Sequence, residues 1–220
     1  MYSQISRNIQ NNAEVEMTDG KLFIVSGPSG SGKSSICIEL YKTGEFLPSV
    51  SMTTRKPREG EIDGVSYYFV SERKFLKTIE EGGFLEHTQI YKNRYGTPKA
   101  PVIRNLKDGK NVILEIEMEG AMNAKRAFPD AKAVYVLPPS MAELRKRLQH
   151  RGTETEEQLN IRLQNALSEI RLIGQYDYYL VNDDFETAVE TLSSIVHGEG
   201  EQYLVPEDPS AIIKKYEEEQ

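Results

Sequence analysis

The stretch "GPSGSGKS", Gly27–Ser34, decides the fold of this chain. It fits the pattern GxxxxGK[ST], follows the apolar run "KLFIVSG" and precedes a helical pattern, which is the strand–loop–helix context of a phosphate-binding loop. Its glycines let backbone N–H groups face phosphate oxygens. Lys33 is expected to reach the β- and γ-phosphates, and the Ser34 hydroxyl to ligate Mg²⁺. The predicted nucleotide-phosphate site comprises Gly27, Pro28, Ser29, Gly30, Ser31, Gly32, Lys33, Ser34 and Ser35.

Further apolar runs along the chain alternate with helical patterns. Buried strands are predicted at Lys21–Gly27, Asn111–Met118, Ala131–Pro139 and Asp177–Asn182. Capping-box pairs mark the predicted helix starts, namely Ser140 with Glu143, Thr153 with Glu156, and Asp183 with Glu186. Strands that alternate with helices in this way indicate an α/β fold with a parallel sheet flanked by helices.

The segment from about Ser49 to Thr97 has a different pattern. Short alternating runs surround one helical stretch, "ERKFLKTIEEG", which predicts a small mixed or antiparallel insert. A phosphate-binding loop alone does not distinguish a GTPase, an ATPase and a kinase, so this insert has to supply the distinction.

The insert contains a cluster of cations in a chain whose net charge is -7. Arg55 and Arg58 are separated by only two residues and are held close by Pro57, and two guanidinium groups placed in this way suit a dianionic phosphate. A solvated basic turn is the alternative interpretation. Tyr67 and "RYGTP" (Arg94–Pro98) add hydroxyl donors within the same insert, which favours a second phosphate site.

At this point the sequence resembles the guanylate kinase family. The resemblance runs from about Lys21 to Val196 and rests, in family order, on "SGPSGSGKSS", "SVSMTTRKPREGE", "YYFVS", "FLEH", "YGTP", "KRLQHRGTETEE", "RL" and "VNDD". It implies Mg²⁺-assisted transfer of the γ-phosphoryl group of ATP to GMP and to dGMP.

The resemblance also implies a domain organisation. A P-loop NTPase-type core would span residues 20–48, 98–148 and 164–198, with a mixed α/β GMP-binding insert at 49–97 and a helical lid at 149–163. Residues 1–19 would form an N-terminal tail, and residues 199–220 a C-terminal extension that ends in a solvated helix.

A role for each matching residue follows from the same resemblance. The residues expected to bind GMP are Ser51, Arg55, Arg58, Tyr67, Glu86, Tyr95, Thr97 and Glu117. Within this set, Ser51, Glu86 and Thr97 would read guanine, and the arginines and tyrosines would hold the phosphate. The residues expected to act on the transferring phosphoryl group are Lys33, Arg147, Arg151 and Arg162. Asn182 would lie near the adenine of ATP.

Three positions depart from the family pattern. The family usually has Asp at the position of Glu117 and Gln at that of Glu119, within "EIEMEGA". Glu117 keeps the carboxylate but extends it by one methylene, so its implied place near the guanine edge and the metal region is less firmly supported. Ser35 replaces a frequent Thr, which is a mild change.

Two alternatives to this function stay open at the level of sequence. A non-catalytic guanylate kinase-like module would bind phosphopeptides in the same cleft, but such modules tend to have damaged phosphate loops, and Lys33 and Ser34 are present here. A related P-loop kinase would act on another phosphorylated small molecule, but Ser51 together with Glu86 favours guanine.

Composition sets the remaining expectations. The 220-residue chain has a single cysteine, Cys37, which excludes an intramolecular disulfide and favours a reducing compartment. A pI of about 5.2 argues against general nucleic-acid or membrane-surface binding. Residues 1–20 lack the apolar core of a secretion signal. We therefore expect a cytoplasmic monomer or small homo-oligomer whose partners are ATP and GMP.

Overall fold

The computed structural model describes residues 20–90, 92–150 and 155–219. The strands within these ranges are β1 Leu22–Ser26, β2 Phe46–Pro48, β3 Met52–Thr53, β4 Tyr68–Phe69, β5 Phe84–Ile90, β6 Asn93–Pro98, β7 Asn111–Glu115, β8 Lys132–Leu137 and β9 Tyr178–Val181. The helices are α1 Lys33–Lys42, α2 Glu72–Glu80, α3 Lys99–Lys107, α4 Met118–Ala127, α5 Met141–Gln149, α6 Glu156–Ile170, α7 Phe185–His197 and α8 Ser210–Glu217.

The central sheet is parallel and has the strand order β2-β7-β1-β8-β9. Strand β1 lies in the middle, and each of its five residues is buried. Leu22 and Ile24 pack into one apolar cluster, while Phe23 and Val25 pack into a second cluster on the opposite face of the sheet. Helices cover both faces, which explains why the strands are continuous apolar runs.

The second sheet has the order β4-β3-β6-β5 and is mixed, because β3 pairs with β4 in parallel and with β6 in antiparallel orientation. Its longest pairing, β5 with β6, places Glu86 opposite Thr97. The register shifts between Phe84 and Glu86. The predicted α/β fold, with a parallel sheet, flanking helices and a small mixed sheet, is confirmed.

Two of the three predicted capping pairs are wrong, while Ser140 accepts a hydrogen bond from the Glu143 backbone N–H and caps α5 as expected. Helix α6 is capped by Thr155, which forms a capping box with Gln158; the predicted residue Thr153 lies outside the described residues. Helix α7 is capped by Asp184, and not by Asp183, through a bond from the Thr187 N–H. In both cases two residues that can cap a helix lie close together in the sequence, and the local pattern does not indicate which of them is the N-cap.

The C-terminal segment is a helix, as predicted, but it is solvated on only part of its surface. Helix α8 packs on the core through Tyr216, which is 1% exposed and donates a 2.6 Å hydrogen bond to the Pro138 carbonyl. Glu219, just beyond α8, accepts a 2.7 Å bond from the Met141 N–H at the start of α5, and Glu217 pairs with Arg171 after α6. The segment therefore contacts both helices that flank the predicted lid.

Candidate active site

The predicted phosphate loop connects β1 to α1 at the carboxyl end of the central sheet. Gly27, Gly30 and Gly32 have φ angles of 144°, 94° and 93°, a region that disfavours side chains. Gly32 is the N-cap of α1 and supplies no capping side chain, so the N–H groups of the first turn are not satisfied by a cap. This is the backbone arrangement that binds phosphate at a helix N-terminus.

Lys33 is folded onto the loop that precedes it. Its Nζ donates to the carbonyl of Gly27 and, at 3.2 Å, to that of Pro28. Ser34 and Ser35 are exposed in the first turn of α1, whereas Ser31 is fully buried. The lysine and the Ser34 hydroxyl therefore lie at the mouth of the loop, as the motif predicts.

Asn182 follows β9 and supports the loop from the side. It is buried, and its Nδ2 donates a 2.7 Å hydrogen bond to the Ser31 carbonyl. A side chain at Gly32 would collide with this amide group. The family resemblance predicts Asn182 near the adenine of ATP, and the observed contact shows that Asn182 fixes the backbone of the phosphate loop.

Two of the predicted lid arginines reach the same region. Arg147, on α5, donates to the Asn182 carbonyl at 3.1 Å and to Glu143 at 3.2 Å. Arg162, on α6, lies 3.5 Å from the Ser29 hydroxyl. Arg151 lies outside the described residues. Helices α5 and α6 thus direct cationic side chains towards the loop from both sides of the predicted lid.

Two of the three predicted guanine-reading residues, Glu86 and Thr97, meet on β5 and β6. Glu86 is 6% exposed, and its Oε1 accepts a 2.6 Å hydrogen bond from the fully buried Thr97 hydroxyl. Burial raises the pKa of Glu86; the Thr97 bonds oppose this rise, and the nearby Glu119 charge adds to it. Gly120 lies directly against Glu86, and a Cβ added to Gly120 would be 2.7 Å from Oε2 of Glu86. Ser51 is half-buried one residue before β3.

The predicted residues for the acceptor phosphate form a patch at the other end of the same sheet. The Arg55 guanidinium lies 5.4 Å from the centre of the Tyr67 ring, and the Tyr67 and Tyr95 rings are 6.1 Å apart. Burial raises the pKa of Tyr67. Arg58 is exposed, and its backbone N–H binds Glu61. The structure therefore brings Arg55, Tyr67 and Tyr95 together, and the Arg58 backbone adjoins them through Glu61, which also binds Arg55.

Comparison with known proteins agrees with this geometry. The sequence model of the guanylate kinase family matches residues 19–199. The chain belongs to the guanylate kinase family. It is 47% identical to guanylate kinase of Clostridioides difficile over 91% of this chain and 97% of that one, and 49% identical to that of Clostridium tetani over 83% and 88%. The crystal structure of guanylate kinase from Anaplasma phagocytophilum superposes with a TM-score of 0.69 at 31% identity, covering 84% of this chain and 88% of that one.

The two departures from the guanylate kinase pattern both lie at the start of α4. Glu117 is the N-cap residue, and its charge raises the pKa of Tyr67 in the acceptor patch. The Glu119 carboxylate accepts a hydrogen bond from the Thr88 hydroxyl on β5. Glu119 therefore faces the second sheet and adds a negative charge beside Glu86.

Sequence reasoning missed several residues of the guanylate kinase site. Glu61 binds Arg55, but its position among the other charged residues of the turn did not predict that contact. Gly120 lies against Glu86, and the local sequence did not predict that contact either. Burial raises the pKa of Glu169, on α6, to about 7; Glu117 adds to the rise and Lys33 opposes it. The local pattern of α6 gave no signal for that burial.

No group of three or more His, Cys, Asp or Glu side chains placed to hold a metal ion occurs in residues 20–90, 92–150 and 155–219. In the same ranges, no helix is long and apolar enough to span a membrane.

Proposed function

We propose that the chain transfers the γ-phosphoryl group of ATP to GMP or dGMP and releases ADP together with GDP or dGDP. The observation that carries this proposal is Glu86, a buried carboxylate held by the Thr97 hydroxyl on the small sheet that also carries the Arg55 and Tyr67 patch. Guanine presents N1–H and an exocyclic amine side by side, and a carboxylate offers two acceptors at a matching separation. Adenine has a lone pair at N1 and would repel the same group.

On the ATP side, the backbone of residues 27–35 and Lys33 hold the phosphates, and Asn182 fixes the loop while flanking the adenine. Mg²⁺ fits the oxygen donors present, because the exposed Ser34 hydroxyl at the loop mouth is a hard ligand and the nucleotide supplies phosphate oxygens. When bound, the ion neutralises charge on the β- and γ-phosphates.

On the acceptor side, Arg55, Arg58, Tyr67 and Tyr95 hold the GMP phosphate, and Ser51, Glu86, Thr97 and Glu117 contact the base edge. The acceptor is already an anionic phosphate oxygen near neutral pH, so no strong base is required. Catalysis then consists of bringing two polyanions together and stabilising the charge that spreads in the transition state.

The lid, residues 149–163, and the helix before it supply the positive charge that stabilises this transition state. Arg147, Arg151 and Arg162 grip the transferring group, and closure excludes water as a competing acceptor. The GMP-binding insert spans residues 49–97. Helix α4 links the insert to the core. Its Gly120 touches Glu86, and the charge of its N-cap residue Glu117 adds to the raised pKa of both Tyr67 and Glu169. We place the enzyme in the cytoplasm as a monomer or small homo-oligomer without nucleic-acid or membrane partners.

A coupled assay of ADP formation tests the proposal. ATP and Mg²⁺ are supplied alone or with GMP, dGMP, AMP, CMP or UMP, and the expected result is turnover with GMP and dGMP far above the ATP-only background. Absence of GMP-dependent ADP formation would contradict the proposal. ATP binding without turnover by any of these acceptors would instead favour a non-catalytic binding module.

A further inference from the structure

Glu61 lies between the two arginines of the acceptor-phosphate patch. Its two carboxylate oxygens accept hydrogen bonds of 2.7 and 2.9 Å from the two terminal nitrogens of Arg55. One of these oxygens also accepts a 2.7 Å bond from the Arg58 backbone N–H. Both side chains of the ion pair are largely buried, being 13% and 20% exposed. A single carboxylate thus fixes one arginine side chain and the backbone of the other.

Arg55 is held from its remaining sides as well. The Lys56 carbonyl accepts a second N–H from Nη1 at 2.8 Å, and the Tyr67 and Phe69 rings lie 5.4 and 5.7 Å from the guanidinium carbon. These contacts use three of the five N–H groups of Arg55, which leaves two for the Tyr95 hydroxyl and for other partners. A hydrogen bond with Tyr95 contributes to the raised pKa of Arg55, although Glu61 contributes more. The guanidinium is therefore oriented before an acceptor phosphate arrives.

Two effects of Glu61 on phosphate binding oppose each other. Its negative charge repels a dianion, which weakens binding. Its bidentate contact removes the rotamer freedom that an unrestrained arginine would lose on binding, which strengthens binding. The bond to the Arg58 backbone favours the second effect, because it builds the carboxylate into the turn independently of Arg55. A carboxylate whose only role was to compete with phosphate for Arg55 would not require a second hydrogen bond from the Arg58 backbone.

We propose that Glu61 is a positioning residue for the acceptor phosphate, acting through Arg55. The proposal deepens the proposed function and rests on the role of Arg55 in it. Glu61 holds the guanidinium so that the N–H groups not bound to Glu61 and Lys56 remain for Tyr95 and the phosphate, and it keeps the Arg58 turn in place. It makes no contact with the phosphate itself.

The test compares kcat and the KM for GMP, at saturating ATP, in E61Q, E61A, R55A and the double variant R55A/E61A. E59Q is the matched control, because Glu59 is an exposed carboxylate two residues away and its loss changes the net charge equally. Loss of an oriented charge-assisted contact is expected to raise the KM for GMP roughly tenfold to a hundredfold in E61A and R55A. The double variant is expected to be much less impaired than the product of the two single effects, and E61Q is expected to fall between wild type and E61A.

The direction of the change decides between the two effects. An unchanged or lower KM for GMP in both E61Q and E61A, while R55A raises it, overturns the positioning role and leaves the function of Arg55 intact. Multiplicative effects in the double variant also overturn it, since Glu61 would then act independently of Arg55. An unchanged KM in R55A overturns both assignments. Because E61A removes a bond within the turn, its melting temperature and its KM for ATP are measured in parallel. E61Q retains one acceptor for the Arg58 N–H, so its KM for GMP is compared with that of wild type while the turn stays folded.

Discussion

Replacing Gly120 by alanine is expected to damage GMP use while leaving the fold intact. The new Cβ would lie 2.7 Å from Glu86 Oε2 and 3.2 Å from its Cδ. Ordinary contact begins at 3.4 Å, so the carboxylate has to retreat by about 0.7 Å. The atom that moves is the end of a side chain, so the shift costs the fold little. In the proposed function, however, it is the atom that reads guanine.

The magnitude follows from the hydrogen bond that the shift would break. A guanine hydrogen bond of ordinary length, about 2.9 Å, would stretch to about 3.6 Å, which is no longer a hydrogen bond. A hydrogen bond to a charged group contributes about 1.5–3 kcal/mol, which corresponds to a roughly tenfold to hundredfold loss of kcat/KM for GMP. Alanine is also the better helix former by up to about 1 kcal/mol. Since Gly120 lies within α4, the melting temperature is expected to stay level or rise.

Steady-state kinetics with GMP, together with thermal unfolding, check this expectation. G174A is the control: its Cβ would meet Pro209 Cγ at 3.4 Å, an ordinary contact in a turn away from Glu86. G120A is expected to lower kcat/KM for GMP and to leave the KM for ATP unchanged, and G174A is expected to change neither. If G120A keeps its GMP kinetics within twofold of wild type, then either α4 yields instead of Glu86 or Glu86 does not read guanine.

Three further expectations follow from the same structure. K33A is expected to lower turnover by about 10²–10³ with an unchanged melting temperature, and turnover within a few-fold of wild type would contradict the role of Lys33. E86Q is expected to lower the GMP/AMP ratio of kcat/KM, because one acceptor becomes a donor; an unchanged ratio refutes guanine reading. Hydrogen bonding to Glu45 raises the pKa of His197 above its ordinary 6.5. The pair should therefore stabilise the fold fully below that pH, and the melting-temperature advantage over H197Q should shrink as the pH rises from about 6 to about 9. A constant difference would show that the pair is not linked to protonation.

Much of the core was predictable because its signals are local. Strand β1, the phosphate loop and α1 form one continuous pattern, and the short apolar runs Val112–Leu114 in β7 and Ala133–Leu137 in β8 are typical of buried strands. The small sheet was predictable as a change of pattern between two helical regions. Its strand pairing was not, since the contact of Glu86 with Thr97 depends on a register that shifts after Phe84.

The failures share a physical cause, which is that tertiary contacts decide them. "IIKKYEEEQ" is dominated by charged and polar residues and was expected to be solvated, yet Tyr216 is buried against the backbone that starts α5. Glu61 appeared to be one acidic residue among several in a turn. Its ion pair with Arg55 could not be predicted, because the pair forms only when the folded turn brings the two side chains together.

The central position of β1 has a consequence for the synthesis of the chain. Leu22 pairs with Val112 on one side, and Phe23 pairs with Lys132 on the other. At about 5–20 residues per second, an apolar strand with two open edges waits roughly 5–20 s for its first neighbour, a state that favours aggregation. Asn182, which fixes the phosphate loop, is made later still. ATP therefore cannot stabilise the nascent chain as a ligand until almost the whole domain has been synthesised.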